Sequence, residues 1–107
     1  MVEPLKQLSL FAKRLKKARE NLAISQMELG VLAGIDEYSA SARINQYERG
    51  KHTPDFTTAS NLAKVLGVPV AYFYAEDETL AVLITLFEQL NATDRNSLIT
   101  FAAKLKA

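Results

Sequence analysis

The chain has 107 residues, 49% of them hydrophobic and 23% charged, with no cysteine and a single histidine, His52. That size and apolar content suit one compact domain, or a small domain with an appendage, and argue against disorder; the missing thiols exclude a disulfide framework and a thiolate metal site, and one histidine builds no zinc site alone. The net charge of +1 is unevenly spread, with ten Lys and Arg against seven Asp and Glu in residues 1–70 and three against five in residues 71–107, so a mildly basic front suited to phosphate contact precedes a mildly acidic tail.

At the N-terminus, MVEPLKQL lacks the uninterrupted apolar run of a signal peptide, and no apolar run approaches the roughly 18 residues of a membrane span. A soluble, cytoplasmic protein with no membrane association is expected. Leu8, Phe11, Ala12, Leu15, Ala18 and Leu22 recur at helical spacing and predict a first helix over 8–22. Lys13, Arg14, Lys16 and Lys17 lie mostly off that stripe and give it a basic outer face, and Asn21 suits its C-terminal turn.

Ser25 is a good N-cap with Glu28 three residues on, the spacing of a capping box. Ile24 and Leu29 can form the hydrophobic staple around it, and Met27, Val31 and Leu32 add apolar surface, so a second helix runs over about 26–33. Gly30 falls inside this helix, where glycine costs about 0.5–1 kcal/mol relative to alanine. A close crossing with the next helix explains that choice. Gly34 ends the helix, and Ile35 plugs the turn.

Asp36 or Ser39 can cap a third helix, whose narrow inward stripe is Ala40, Ile44 and Tyr47. Around it lie Ser39, Ser41, Ala42, Arg43, Asn45, Gln46 and Arg49, few of which could serve a core. Small residues let a helix sink into a groove, and amide and guanidinium groups bond to base edges. Gly50 closes the helix, and Lys51-His52-Thr53-Pro54 is a loop. Helix, turn and second helix of mixed small and polar residues is the arrangement of a DNA reader.

Asp55 caps a fourth helix over about 56–66, with Phe56, Ala59, Leu62, Ala63 and Leu66 inward and Gly67 as its stop. Pro69 suits the first turn of a short fifth helix, about 69–74, whose aromatic residues Tyr72, Phe73 and Tyr74 read as core and lid. Glu76, Asp77 and Glu78 suit a helix N-terminus. Leu80, Leu83, Ile84, Phe87 and Leu90 then recur at helical spacing. Asn91 to Asp94 breaks the pattern with Thr93 as the next cap, and Leu98, Phe101, Ala102 and Leu105 resume it. The fold expected is all-α, a helix-turn-helix domain over 8–75 followed by a C-terminal helical hairpin over 76–107.

Arg19, Ser25-Gln26, Leu29, Gly34-Ile35, Ile44, Tyr47-Glu48-Arg49-Gly50-Lys51, Pro54 and Leu62-Ala63-Lys64-Val65-Leu66-Gly67-Val68 stand in an order that resembles the lambdoid-repressor type of helix-turn-helix domain, the Cro/C1 or XRE family. The resemblance covers about residues 9–74. It implies a five-helix, lambda-repressor-like domain that binds double-stranded DNA as a homodimer. It further implies that Gln26, next to Ser25, anchors a phosphate at the start of helix two, and that Ser41, Ala42 and Gln46 reach base edges in the major groove. Arg49, Lys51 and His52 match the end that contacts the DNA backbone, and Arg19 and Glu48 match a buried structural ion pair. Asn45 is a base-edge candidate, Arg43 serves equally as phosphate clamp or base reader, and Ser39 is a phosphate candidate. Two departures stand out. The family usually has alanine where this chain has Gly30, and the span from Gly34 to Glu48 is four residues longer than the usual pattern. Either Ser39 caps the third helix after a longer loop, which is the favoured reading, or Asp36 caps a helix with an extra turn.

No nucleophile stands near a histidine at plausible spacing, and neither a metal cluster nor a Gly-rich phosphate loop is present, so no catalytic residue, metal or cofactor is expected. The predicted function is a dimeric, sequence-specific transcriptional repressor that reads a palindromic operator with its third helix, the tail hairpin serving dimerisation. The alternative is an antitoxin or protein-interaction module that binds a partner protein through the same domain.

Overall fold

The computed structural model describes residues 9–107; Leu8, expected to begin the stripe of helix one, lies outside them. The described residues form six α-helices and one 3₁₀ helix, with no strand among them: α1 (Leu10–Leu22), α2 (Gln26–Leu32), α3 (Glu37–Glu48), α4 (Phe56–Leu66), the 3₁₀ helix (Val70–Tyr74), α5 (Glu78–Gln89) and α6 (Ala92–Lys106). The all-α expectation holds, with the short fifth helix wound as 3₁₀.

Local chemistry sets most of the boundaries. Ser9, Ser25, Asp55 and Asp77 each accept a backbone N–H from the first turn of the helix that follows, which satisfies one of the donors a helix start leaves orphaned. Gly34 (φ 94°) and Gly67 (φ 71°) close α2 and α4 in the left-handed region. There Ile35 N–H reaches back to Gly30 and Val68 N–H to Ala63, the bond pattern of a glycine-closed helix end. The left-handed residue after α1 is Ala23 (φ 58°), the one non-glycine with positive φ among the described residues, and Asn21 remains in the helix.

The core gathers Phe11, Leu15, Leu29, Ile44, Leu62 and Phe73 from α1 to α4 and the 3₁₀ helix. Phe73 stacks 4.8 Å from Phe11, and Tyr74 covers the same ring from 5.7 Å, so the aromatic run is core and lid. Several expected positions differ. Arg14 is 3% exposed and belongs to the inward face. It sits three residues after Phe11 and four before Ala18, so helical geometry carries it round to the 3₁₀ helix. Its Nε and Nη2 donate to the Ala75 carbonyl at 3.2 and 2.7 Å, its Nη1 donates to Glu78 Oε1 at 2.8 Å, and its guanidinium lies 5.5 Å from the Tyr72 ring. Phe56 is exposed, because a side chain in the first turn leans back past the helix end. Leu22, Met27, Val31 and Leu32 are likewise solvent-facing rather than packed.

The tail is not a closed hairpin. Leu90 and Asn91 alone join α5 to α6, and Asn91, not Thr93, caps α6, its Oδ1 accepting from Asp94 N–H at 2.8 Å. Arg95 reaches back to the Phe87 and Glu88 carbonyls, both at 3.0 Å, and covers the Phe87 ring. Only Ala81 of α5 is buried, and α6 buries no residue. Leu80, Leu83, Ile84 and Phe87 of α5 face Leu98, Ile99 and Ala102 of α6 across an open apolar groove of about 400 Å³. No helix among the described residues is long and apolar enough to cross a membrane.

Candidate nucleic-acid interface

The unit that presents side chains outward is α2, its turn and α3. Gly30 makes their close crossing possible: a Cβ on Gly30 would stand 2.7 Å from Ala40 Cβ and 3.0 Å from Ala40 Cα. The two helices thus meet backbone to backbone, and Ala40, Ile44 and Tyr47 seat α3 on the core.

Asp36 caps α3, its carboxylate accepting from Tyr38 N–H at 3.3 Å. The favoured cap, Ser39, is overturned. It lies within the first turn of α3 and is half-buried. The four-residue excess is therefore an extra helical turn at the N-terminus of α3. Four residues nearly equal one turn of 3.6, so Ala40, Ile44 and Tyr47 point inward whether helix or loop precedes them. That is why the apolar pattern did not separate the two caps.

An ion pair fixes α3 to α1. Arg19 Nε donates to Glu48 Oε2 at 2.6 Å and Nη2 to Oε1 at 3.0 Å, while Nη1 donates to the Ile24 carbonyl at 2.9 Å. Glu48 is 3% exposed and Arg19 14%. This bidentate hydrogen bonding raises the Arg19 pKa, against the opposing effect of burial. Gln26 joins the network, its Nε2 donating to Glu48 Oε1 at 3.0 Å and to Asn45 Oδ1 at 3.3 Å. Both amide hydrogens of Gln26 are thus directed into the protein, and Asn45 is held half-buried against it.

Ser41, Ala42, Arg43 and Gln46 are exposed on α3, and Arg49, Lys51 and His52 are exposed where it ends. The Lys51 and His52 N–H groups both return to the Gln46 carbonyl, at 2.9 and 3.4 Å, which folds this basic end back beside the helix. Ser25 is exposed, its Oγ accepting from Glu28 N–H at 3.0 Å. Arg43, Gln46 and His52 line an open groove of about 410 Å³ together with Thr53, Asp55 and Thr58. Asp55 caps α4 there, and its hydrogen bonds from Thr58 hold the carboxyl below the usual carboxylate range. The threonines were not among the residues singled out from sequence. Their hydroxyls give no pattern in the chain, and only the fold of the loop brings them beside Gln46.

Comparison with known proteins agrees with this geometry. The helix-turn-helix family model matches residues 15–73, more than half of the chain. The cryptic phage CTXphi transcriptional repressor RstR of Vibrio cholerae is 29% identical over 96 residues, spanning 83% of this chain and 81% of its own length. The crystal structure of transcriptional regulator BswR superposes with a TM-score of 0.80 at 44% identity, over 92% of this chain and 94% of that one. With the outward polar face of α3 and the Arg19–Glu48 anchor behind it, these matches establish that the chain belongs to the Cro/C1 (XRE) type of helix-turn-helix family, whose members are DNA-binding transcriptional regulators and not enzymes.

Proposed function

We propose that the protein is a homodimeric repressor that lays α3 in the major groove of a palindromic operator, using residues 8–75 as the DNA-binding domain and 76–107 as the dimerisation element. The observation that carries this reading is the division of α3. Ala40, Ile44, Tyr47 and Glu48 are buried, while Ser41, Ala42, Arg43 and Gln46 face outward from a rigidly held helix. A guanidinium and an amide of this kind reach the donor and acceptor pattern of base edges. Gln46 and Arg43 are assigned to base edges with Ser41 and Ala42, and Asn45 orients Gln26 beside them. Arg49, Lys51, His52, Ser25 and Ser39 are assigned to the phosphates. Gln26 contacts the backbone at the start of α2 by exchanging its bond to Asn45.

A single small reader binds weakly, and two-fold pairing lets two readers meet half-sites about 34 Å apart. The open groove between α5 and α6, where Leu80, Leu83 and Ile99 are 44–59% exposed, supports a second copy as its cover. An operator covered by such a dimer is closed to polymerase, in keeping with the repressor named among the relatives. Substituting Gln46→Ala is expected to weaken specific binding by about 1–3 kcal/mol and to relax preference at one base pair. A variant with unchanged affinity for every sequence would remove α3 from the interface. Capture of a partner protein with no DNA shift would favour the antitoxin reading instead.

A further inference from the structure

Tyr38 occupies the extra turn that opens α3. It is 96% exposed, so its ring packs on nothing among the described residues. At about 100° per residue, Tyr38, Ala42 and Arg49 project along one line on the side of α3 opposite Ala40, Ile44 and Tyr47. The added turn therefore continues the outward face and does not turn away from it. With a rise of 1.5 Å per residue, Tyr38 stands about 6 Å beyond Ala42 along the axis, close to two base-pair steps of 3.4 Å.

The charge around the ring selects what it can meet. Asp36 and Glu37 precede Tyr38 and are both exposed. Two adjacent carboxylates disfavour contact between the Tyr38 ring and a phosphate, whereas Ser39 points about 100° further round the helix. A phenol ring offers apolar area to a thymine methyl, and its hydroxyl donates to or accepts from a base edge. We propose that Tyr38 is a specificity-determining residue, which reads one or two base pairs beyond those met by Ala42 and so lengthens the half-site. This rests on α3 reading DNA as proposed above.

The test is selection of bound sites from random double-stranded DNA with the full-length wild type and with Tyr38→Ala. The substitution lies on the surface, and an unchanged melting temperature will show an intact fold. The expected result is one motif common to both proteins, with the variant losing about fivefold or more in discrimination at one or two pairs on one side of each half-site. Identical motifs and affinities would overturn the assignment. Equal weakening on all sequences, with a shallower salt dependence, would also overturn it, because that is the signature of a phosphate contact. Failure of the wild type to enrich any motif would overturn the DNA-reading function itself, and this inference with it.

Discussion

Replacing Gly30 with alanine sets two effects of known sign against each other. Alanine gains about 0.5–1 kcal/mol of intrinsic helix propensity over glycine, and Gly30 lies in the interior of α2 with ordinary helical backbone. Against that gain, the new methyl would stand 2.7 Å from Ala40 Cβ and 3.1 Å from the Ala40 carbonyl oxygen. One of those neighbours is main chain, so relief requires α2 and α3 to separate. Overpacking of this kind costs about 1–3 kcal/mol. The net expectation for Gly30→Ala is a loss of about 1 kcal/mol, or about 4–8 °C in Tm for a domain of this size. Urea denaturation followed by circular dichroism measures it, with Ala40→Gly and the double variant completing a cycle. Removing the Ala40 methyl takes away the closest of these contacts and leaves the main-chain ones, so the cycle should give a coupling of the order of 1 kcal/mol. A Gly30→Ala variant at least as stable as wild type, with additive effects in the cycle, would refute the close-crossing explanation.

Glu48→Ala leaves Arg19 partly buried without its carboxylate and Gln26 with Asn45 as its one remaining acceptor, and is expected to cost about 3–5 kcal/mol in urea titrations; a loss below 1 kcal/mol would show the pair to be ornamental. The Asp55 carboxyl titrates below the usual carboxylate range because it accepts hydrogen bonds from Thr58. Its lowered pKa makes its contribution complete above the ordinary aspartate pKa and lost as pH falls through the lowered one. Asp55→Asn should therefore flatten the acid limb of the stability profile, and an unaltered limb would exclude that origin. Ile99→Lys places a charge on the exposed groove between α5 and α6, and is expected to give monomers by analytical ultracentrifugation with the protomer fold retained; a stable dimer would exclude that face.

Much of the fold was legible in the chain because short polar residues and glycines mark helix ends by local chemistry. Ser25, Asp55, Gly34 and Gly67 stand where such rules place them. Tertiary contacts decided the rest. Arg14 reads as a surface cation, yet it is buried because the Ala75 carbonyl and Glu78 wait for it from 61 and 64 residues away. The cap of α3 was ambiguous because an insertion of one turn leaves the inward register unchanged. The apolar stripe of α6 predicted a covered helix, but periodicity does not say which molecule provides the cover, and the described residues leave it bare. On α3, the outward placement of Gln46 and Arg43 was legible in the chain, whereas the Gln26–Asn45–Glu48 network depends on two helices meeting and has no signature in either alone.

The central claim is that two copies present α3 to related half-sites. Selection of bound sequences from random DNA by the wild-type protein tests it most directly. The prediction is an inverted repeat whose half-site centres lie about one helical turn apart, 10–10.5 base pairs or a multiple of that. A single unrepeated motif would contradict dimeric reading, and no enriched motif would contradict sequence-specific recognition by α3.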